Sequence, residues 1–431
     1  MNTKDEVLMI SKKNPLNGKI NIPAAKNACL PIICASVLLD GKTVLRDVPK
    51  IVDIKELLAI LKDIGANITH RKNGTLTIDS SGIKSGHVLN DSARKIRSSI
   101  FLLSPLLSRF GEVSLPLPGG CSIGKRPIDF HVEILKKMGA VVTVTDRRVG
   151  AASPCSPGSH SDATPTTIEL PFASVGATIN AITLAAKSLG KTTIKNCAKE
   201  PEIEDVADFL NKAGAKILGA GTDTIMVNGV DKLNGITYSP IKDRIVAGTY
   251  LIAGAMADGS VQTVGVPKTH LEPLLTLLED LGCEVKPHNN IITIERTKPL
   301  TAKNISISTA PFPGFPTDLQ AQTVALLSIS SGTSTISENL FEARFKYVPE
   351  LRKMGAKIEL QENKAIITGV KKLTPTSVVA EDLRGGASLV LAALTTSGIT
   401  IIRDIHHIDR GYYKIEEELN KLGTSIKRVK V

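Results

Sequence analysis

The sequence predicts an α/β protein of two domains, and three observations lead to this prediction. The chain has 431 residues, a length that favours two or three domains. A pattern of glycine, strand, amphipathic helix and closing glycine recurs six times along it, which indicates a repeat architecture. A helix that is apolar on nearly all sides precedes each copy, as expected of a buried helix. Six such units divide into two groups of three.

The repeated segments share a helix pattern and a closing turn. In the first copy, Ile54, Leu57, Leu58 and Leu61 follow the spacing of one helix face. The closing glycine suits a helix C-cap. A hairpin pattern such as "NITHRKNGTLTID" follows, with Asn-Gly at its turn. The six copies begin at Gly41, Gly111, Gly190, Gly259, Gly332 and Gly398.

The two chain ends are predicted to share a domain. The sixth copy stops at "SIKRVKV" without its second hairpin strand, and the N-terminal "EVLMISKKNPLNGKI" resembles "DTIMVNGVDKLNGI" of the third copy. We therefore expect residues 22–241 to form one domain and residues 1–21 with 242–431 to form the other. The active site is expected in the cleft between them.

Composition and charge restrict the class of protein. The net charge is +11, yet aromatic residues are only 3% and tryptophan is absent, so stacking platforms for nucleic acid are poorly supplied. A basic cleft for small anionic substrates fits better. No apolar run approaches ~18 residues and no signal-peptide core is present, which predicts a cytoplasmic protein without a membrane span. The six cysteines form no C-x-x-C pair, so a zinc ribbon or a dithiol redox site has little support.

Polar residues stand at the starts of the buried helices. A buried helix start carries unpaired N–H groups and a positive potential, so it can hold an anion. Asp and Ser at such positions are also common N-caps, whereas Lys and Arg are unfavourable there. The cations therefore favour a site built for several negative charges. The residues concerned are Lys26, Asn27, Arg97, Ser174, Asp243, Arg244, Thr317, Asp318, Asp382 and Arg384.

The second copy contains an insertion, "PLPGGCSIGKRP". Its two glycines are 28 residues apart, against 23 to 25 in the other copies. The insertion matches G-x-x-x-x-G-K of a nucleotide-binding loop, but Arg126 stands where Ser or Thr would hold Mg²⁺. Lys125 and Arg126 favour the thiolate form of Cys121. We expect a glycine-rich lid that carries a reactive thiol.

The motifs together resemble one family over essentially the full length of the chain. They are "AAKNA", "KIRSSI", "LPGGCSIGKRPID", "SVGAT", "EPEI", "GTDTI", "FPTDLQAQ" and "HIDRGY". The chain resembles the UDP-N-acetylglucosamine 1-carboxyvinyltransferases, which are enolpyruvyl transferases of the EPSP synthase-like family. The resemblance implies two domains of an inside-out α/β barrel type. It also implies a bacterial cytoplasmic enzyme that is a monomer or a weak homo-oligomer, with no cofactor and no nucleic-acid partner.

The resemblance further implies an activity. The enolpyruvyl group of phosphoenolpyruvate would pass to the 3′-hydroxyl of UDP-N-acetylglucosamine with release of phosphate. This is the first committed step of peptidoglycan synthesis, and hence of cell wall biogenesis, cell shape and division. Cys121 would be the general acid, the site of a covalent pyruvate-type adduct and the target of fosfomycin.

The resemblance assigns a role to each candidate site residue. Lys26, Arg126 and Arg410 would bind phosphoenolpyruvate, with Asn27 nearby. Asp318 would be the base at the sugar hydroxyl, and Asp382 and Arg384 would support the site. The remaining contacts to the UDP-sugar would come from Arg97, Arg126, Pro127, Ile128, Asp129, Phe130, Phe172, Ala173, Ser174, Val175, Asp318 and Leu340.

Three positions depart from the family pattern, and they leave alternatives open. Ala24 stands where glycine is usual, Val246 where glutamate is usual, and Phe172 where some members have lysine. An inactive regulatory paralogue is one alternative. A P-loop NTPase or kinase and a non-catalytic anion- or RNA-binding protein are the others. Tight Mg²⁺-ATP binding would favour the NTPase, and salt-sensitive RNA binding without turnover would favour the RNA-binding protein.

Overall fold

The structure is a computed structural model that describes residues 6–11, 15–119, 128–153 and 165–430. Its strands are β1 (Glu6–Ser11), β2 (Asn17–Asn21), β3 (Lys42–Leu45), β4 (Asn67–His70), β5 (Leu76–Asp79), β6 (Glu112–Pro116), β7 (Val141–Val144), β8 (Arg148–Ala152), β9 (Thr166–Glu169), β10 (Lys191–Lys195), β11 (Lys216–Leu218), β12 (Thr224–Asn228), β13 (Thr237–Tyr238), β14 (Ser260–Val264), β15 (Glu284–His288), β16 (Ile291–Glu295), β17 (Ile305–Ser308), β18 (Thr333–Ser337), β19 (Lys357–Gln361), β20 (Lys364–Thr368), β21 (Ser377–Val379), β22 (Ile399–Arg403) and β23 (Ser425–Lys430).

The helices alternate between inner, buried helices and outer, amphipathic ones. The α-helices are α1 (Lys26–Ala35), α2 (Val52–Asp63), α3 (Leu103–Phe110), α4 (Asp129–Lys137), α5 (Val175–Ala185), α6 (Pro201–Lys212), α7 (Arg244–Met256), α8 (Glu272–Asp280), α9 (Gln320–Leu327), α10 (Val348–Lys353), α11 (Leu383–Ala393) and α12 (Ile415–Lys421). Short 3-10 helices include Arg97–Leu102, Thr317–Leu319 and Ile405–Arg410. None of the helices in the described ranges is long and apolar enough to cross a bilayer.

The chain forms two compact units. Of the described residues, unit 1 contains 6–11, 15–22 and 242–430, and unit 2 contains 23–119, 128–153 and 165–241. Each unit has its own hydrophobic core. The core of unit 1 surrounds α7, α9 and α11, and every residue of α7 is buried. The core of unit 2 surrounds α1, α3 and α5.

The sixfold repeat appears as six small sheets in the described part of the chain. Five of them share one plan, in which a parallel edge strand is followed by the first strand of the repeat and then by two antiparallel strands, which form a hairpin in four sheets and are β1 and β23 in the fifth. These sheets run β13-β3-β5-β4, β9-β10-β12-β11, β2-β14-β16-β15, β17-β18-β20-β19 and β21-β22-β1-β23. The sixth, β6-β8-β7, has a single parallel bridge from His87 to Ser114 in place of the edge strand. The α/β fold of repeated units is thereby confirmed.

The N-terminal strand completes the last sheet. β1 lies between β22 and β23 and is antiparallel to both, with Leu8 opposite Ile402 and Arg428. β2 pairs in parallel with β14 of the fourth repeat. Both chain ends therefore contribute strands to unit 1.

One buried helix differs from its predicted form. The segment predicted as one α-helix before Gly111 begins with the 3-10 helix Arg97–Leu102 and becomes α-helical only at Leu103. Pro105 explains the change, because proline has no N–H for the carbonyl four residues earlier and its ring clashes with that carbonyl. The tighter turn places Arg97 at the start of the segment.

Both crossings between the units are tied to one carboxylate of unit 2. The chain crosses after Ile22 and again after Ile241. The N–H of Ala25 donates to the carbonyl of Ile241 at 2.7 Å. The N–H of Ile241 donates to Asp205 Oδ2 at 3.1 Å, and the Tyr238 hydroxyl donates to Asp205 Oδ1 at 2.6 Å. Asp205 thus anchors the second crossing directly and the first through Ile241.

We expect the ionisation of Asp205 to oppose folding. Burial raises the pKa of Asp205 to about 6 and outweighs the hydrogen bonds from Tyr238 and Ile241, which lower it. Because the folded pKa lies above the unfolded value of 3.8, the stabilisation is complete below pH ~4 and is lost as the pH rises through ~6. Relative to that of the parent, the free energy of unfolding of Asp205→Asn should rise by about 1–3 kcal/mol between pH 4 and pH 7. Urea unfolding at several pH values measures this gain.

Loss of the hydrogen bonds of Asp205 would change the free energy of unfolding by the same amount at every pH. It would therefore leave the pH dependence of the difference between variant and parent unchanged. Asp231→Asn, at an exposed position of the same unit, is the matched control and should give a curve parallel to the parent. A pH-independent difference for Asp205→Asn would contradict the prediction.

Candidate active-site residues

Lys26 occupies the start of the buried helix α1. Its N-cap, Ala25, supplies no side-chain cap. The Lys26 Nζ lies 2.7 Å from Asp53 Oδ2, and both side chains are largely buried, with 12% and 6% of their surfaces exposed. Asp53, in the first turn of α2, therefore balances a cation that is unfavourable at a helix start. Asn27 follows Lys26 and is half-buried. Sequence reasoning missed Asp53, although an acidic residue next to the apolar face of α2 was a signal.

Three segments predicted to contact the UDP-sugar come together in unit 2. Arg97 begins its 3-10 helix, Asp129 begins α4, and Val175 begins α5. α5 packs against both α4 and the 3-10 helix. The Ser174 hydroxyl caps α5 by accepting the N–H of Ala177 at 3.4 Å. Ile128, Phe130, Ala173 and Val175 are half-buried, whereas Asp129 and Phe172 are exposed.

Asp318 in unit 1 is held between two buried arginines. Its Oδ1 lies 2.7 Å from Arg344 Nη2 and its Oδ2 lies 2.9 Å from Arg384 Nη2. Each arginine side chain is 4% exposed, against 27% for Asp318. Burial is the largest influence on Arg384 and lowers its pKa, but Asp318, Tyr412 and Asp243 together outweigh it and the net effect is a raised pKa. The Asp318 carboxylate is thus held by both of its oxygens.

A hydrogen-bonded network supports this ion-pair cluster. The Arg384 Nη1 donates to the Tyr412 hydroxyl at 3.3 Å. Gln322 Nε2 donates to the Asp318 carbonyl at 3.1 Å and lies 3.2 Å from the Tyr412 hydroxyl. The buried Glu338 accepts the Thr317 hydroxyl at 2.8 Å and the N–H of Leu340 at 2.9 Å. Leu340 is half-buried beside this network.

The N-capping interpretation holds for some helix starts and fails for Asp318. Asp382 accepts the N–H groups of Arg384 and Gly385, both at 2.9 Å, and so caps α11. Asp243 caps α7 in the same way. The structure assigns no side-chain cap to the 3-10 helix that holds Asp318. The carboxylate of Asp318 instead contacts Arg344 and Arg384.

Arg410 ends the 3-10 helix Ile405–Arg410 and is half-buried. His407, one turn earlier, has a lowered pKa, chiefly because it is buried and also because His406 and Arg410 are cationic neighbours. Asp382 acts in the opposite direction on the same imidazole. Arg410 and Asp382 therefore belong to one electrostatic neighbourhood in unit 1.

The other predicted residues fall into two groups. Some lie outside the described residues, and at the others this chain departs from the family's sequence pattern. Cys121, Arg126 and Pro127 lie outside the described residues. Ala24 is fully buried and Val246 is 4% exposed, so both belong to the cores. Phe172 is 48% exposed and offers no charge to an anion. Among the residues described, no group of His, Cys, Asp and Glu is arranged to hold a metal ion.

The repeated α/β units with ionic helix starts define the class of the enolpyruvyl transferases. A family profile described as "EPSP synthase (3-phosphoshikimate 1-carboxyvinyltransferase)" matches residues 10–419, and the chain belongs to this family. "UDP-N-acetylglucosamine 1-carboxyvinyltransferase 3" of Caldanaerobacter subterraneus is 43% identical over 425 residues, which cover 99% of this chain and all of that protein. The enzyme of Finegoldia magna is 42% identical, with 99% of each chain covered. The resemblance found in the motifs is thereby confirmed.

Solved structures agree with this assignment. The enolpyruvyl transferase NikO from Streptomyces tendae has a TM-score of 0.87 and 26% identity, with 99% of each chain covered. An EPSP synthase from Acinetobacter baumannii has a TM-score of 0.75 and 17% identity, over 98% of this chain and all of that one. The second likeness shows the shared fold alone.

Proposed function

We propose that this chain transfers the enolpyruvyl group of phosphoenolpyruvate to the 3′-hydroxyl of UDP-N-acetylglucosamine and releases phosphate. The observation that carries the proposal is the Asp318 carboxylate, which caps no helix and is held between Arg344 and Arg384. The names of the curated relatives support the choice of substrates. The Asp318 carboxylate is 27% exposed, so a bound hydroxyl group can reach it, as a general base requires.

The reaction requires three proton transfers, the addition of the hydroxyl oxygen to C2 and the elimination of phosphate. Asp318 removes the proton of the sugar hydroxyl, whose oxygen then bonds to C2 of phosphoenolpyruvate. Cys121 delivers a proton to the methylene carbon, C3, which gives a tetrahedral adduct. Loss of a proton from C3 with departure of phosphate regenerates the enol ether. Cations around the phosphate and carboxylate stabilise the developing charge.

The remaining site residues bind one of the two substrates or hold a substrate-binding residue in place. Lys26, Arg126 and Arg410 bind phosphoenolpyruvate, with Asn27 beside Lys26. Asp53 keeps Lys26 in place through the 2.7 Å ion pair. Asp382 fixes the first turn of α11, from which Arg384 reaches Asp318. The contacts to the UDP-sugar come from Arg97, Arg126, Pro127, Ile128, Asp129, Phe130, Phe172, Ala173, Ser174, Val175, Asp318 and Leu340.

The cellular context is part of the same proposal. The product would enter peptidoglycan synthesis in a bacterial cytoplasm, and so serve cell shape and division. The enzyme would act as a monomer or a weak homo-oligomer without a cofactor.

A phosphate-release assay with both substrates tests the proposed activity. Phosphate release from phosphoenolpyruvate should require UDP-N-acetylglucosamine. Asp318→Asn and Cys121→Ser should each lower kcat by roughly 10²–10⁴-fold, the usual range for removal of a general acid or base. Asp258→Asn, at an ion pair with 53% exposure of the carboxylate side chain, should keep parental kcat. Release without the UDP-sugar, or turnover of ATP alone, would refute the proposal.

Alkylation by fosfomycin tests the thiol. The epoxide should modify Cys121, and peptide mapping by mass spectrometry should locate the adduct. The buried cysteines are internal controls, because burial raises the pKa of Cys283 to about 11 and that of Cys197 to about 12. These two thiols stay protonated at pH 7 and should remain unmodified. Modification spread over all cysteines would argue against a special role for Cys121.

A further inference from the structure

His131 joins the three segments predicted to contact the UDP-sugar, and the proposed reaction gives it no role. It lies in the first turn of α4 and is 7% exposed. Its Nδ1 lies 2.7 Å from Nδ2 of Asn180. Asn180 is 2% exposed and lies on α5, whose other buried residues are small or apolar apart from two threonines. Buried polar side chains are nearly always hydrogen-bonded, so His131 and Asn180 each need a polar partner at this place.

The direction of this hydrogen bond follows from a third group. Asn180 Nδ2 also lies 3.2 Å from the carbonyl of Ile100. A carbonyl only accepts, so the NH₂ of the Asn180 amide must face both Ile100 and His131. The amide therefore donates to His131 Nδ1, and the proton of the neutral imidazole resides on Nε2. Burial, followed by the charge of Arg97, lowers the pKa of His131 to about 3 and keeps the ring neutral.

A glycine lets the imidazole lie against the start of α5. A Cβ at Gly176 would stand 3.1 Å from His131 Cε1 and 3.4 Å from Nε2. Gly176 and Asn180 are four residues apart and so share one face of α5. The ring of His131 is thus bounded by Gly176 at one end and by Asn180 one turn further along.

The consequence is a junction of three segments. His131 belongs to the start of α4, Gly176 to the start of α5, and Asn180 contacts Ile100 in the 3-10 helix that Arg97 begins. Each segment carries residues assigned to the UDP-sugar: Ile128–Phe130, Ser174 and Val175, and Arg97. A shift of His131 would separate the three sets.

We propose that His131 is a positioning residue that, through its hydrogen bond to Asn180 and its packing on Gly176, fixes the three UDP-sugar-binding segments relative to one another. This inference rests on the proposed function for its ligand. His131 acts through its neighbours and does not react. Its loss should weaken binding of the UDP-sugar and leave the chemistry of phosphoenolpyruvate largely unchanged.

Two substitutions at position 131 separate the hydrogen bond from simple packing. The asparagine of His131→Asn places an amide oxygen near the former Nδ1 and can still accept from Asn180, whereas the leucine of His131→Leu cannot. We expect the Kd of UDP-N-acetylglucosamine, measured by isothermal titration without phosphoenolpyruvate, to rise ~10-fold or more for His131→Leu, which is ~1.4 kcal/mol. His131→Asn should recover part of that loss. The KM of phosphoenolpyruvate should change less than about twofold, as expected for a site that only positions the other substrate.

The matched control is His70→Leu. His70 is a half-buried histidine of the same unit that bonds to the Val48 carbonyl at 3.1 Å, and its substitution should leave the Kd unchanged. If His131→Leu does not fold, as judged by circular dichroism, His131→Asn and Asn180→Leu carry the test.

The outcomes distinguish this inference from the proposed function. Folded variants that bind the UDP-sugar with the parental Kd would overturn the positioning role and leave the proposed function intact. An equal rise in the KM of both substrates would also overturn it. A parent protein that neither binds nor turns over UDP-N-acetylglucosamine would overturn the proposed function, and this inference with it.

Discussion

Asp318→Asn should lower the free energy of unfolding by about 3–5 kcal/mol, the usual cost of breaking a buried ion pair from one side. The substitution leaves Arg344 and Arg384 without their shared counter-charge, while each guanidinium stays 4% exposed. Asparagine has the same shape as aspartate, so packing is preserved and the loss reports the charge. Urea denaturation followed by circular dichroism measures the effect.

Asp258→Asn is the control for this prediction. Asp258 also pairs with an arginine, Arg296, at 2.9 Å, but its side chain is 53% exposed. Exposed pairs contribute about 0–1 kcal/mol, and asparagine tolerates the positive φ of 55° at this position. If Asp318→Asn and Asp258→Asn lowered the free energy of unfolding equally, burial of the arginines would not be the cause of the loss.

A double variant identifies the cause of the loss. If stranded guanidinium groups destabilise Asp318→Asn, adding Arg344→Met should recover part of the stability, because one uncompensated charge is removed. If adding Arg344→Met instead lowers the free energy of unfolding further, by the amount expected for a new cavity, Arg344 contributes through packing.

Acid should destabilise the parent protein more than a variant without His131. Burial, and then the charge of Arg97, lower the pKa of His131 from 6.5 to about 3. Because the folded pKa lies below the unfolded value, the neutral imidazole contributes stability that is complete above pH ~6.5 and is lost as the pH falls toward 3. At ~1.4 kcal/mol for each pH unit, the loss between pH 7 and pH 4 is about 3 kcal/mol.

The measurement is the free energy of unfolding against pH for the parent and for His131→Asn. The groups that act on the ring are Arg97, through its charge, and the neutral amide of Asn180, through its hydrogen bond. The variant should show a shallower acid limb below pH 6.5. His288→Asn, at an exposed position, should follow the parent. Coincident acid limbs for the parent and His131→Asn would contradict a buried neutral imidazole.

The repeat could be predicted from sequence because its signals are local. The glycine spacing, the helix periodicity of Ile54 to Leu61 and the apolar inner helices each depend on residues near one another in the chain. The six sheets follow this pattern. The change to a 3-10 helix before Leu103 was missed, although Pro105 was a local signal for it.

The site could be predicted only in part because its partners are distant in sequence. Asp318 and Arg384 were each found as helix-start residues, but their pairing across 66 positions is tertiary. Arg344 was missed because it lies between Phe341 and Phe345, where no pattern marks it as buried. In the sequence, His131 is one residue of the amphipathic helix "DFHVEILKK". Its proposed positioning role depends on the hydrogen bond to Asn180, which lies on another helix.

The same residue type at the start of two inner helices also makes different contacts. Asp382 and Asp318 both precede inner helices. Asp382 lies immediately outside α11 and caps it, whereas Asp318 is already inside a 3-10 turn and its carboxylate points to arginines. Its place relative to the helix start therefore decides whether an aspartate contacts backbone N–H groups or arginine side chains.

The position of β1 means that this strand leaves the ribosome long before the two strands that pair with it. Its neighbours, β22 and β23, begin at residues 399 and 425. Synthesis at about 5–20 residues per second leaves β1 without them for tens of seconds. The described residues of unit 2, by contrast, all lie between 23 and 241, so this unit can fold as soon as that part of the chain has emerged. A nascent chain therefore carries one finished unit and an open strand edge, and a stall after residue 241 would expose that edge to aggregation.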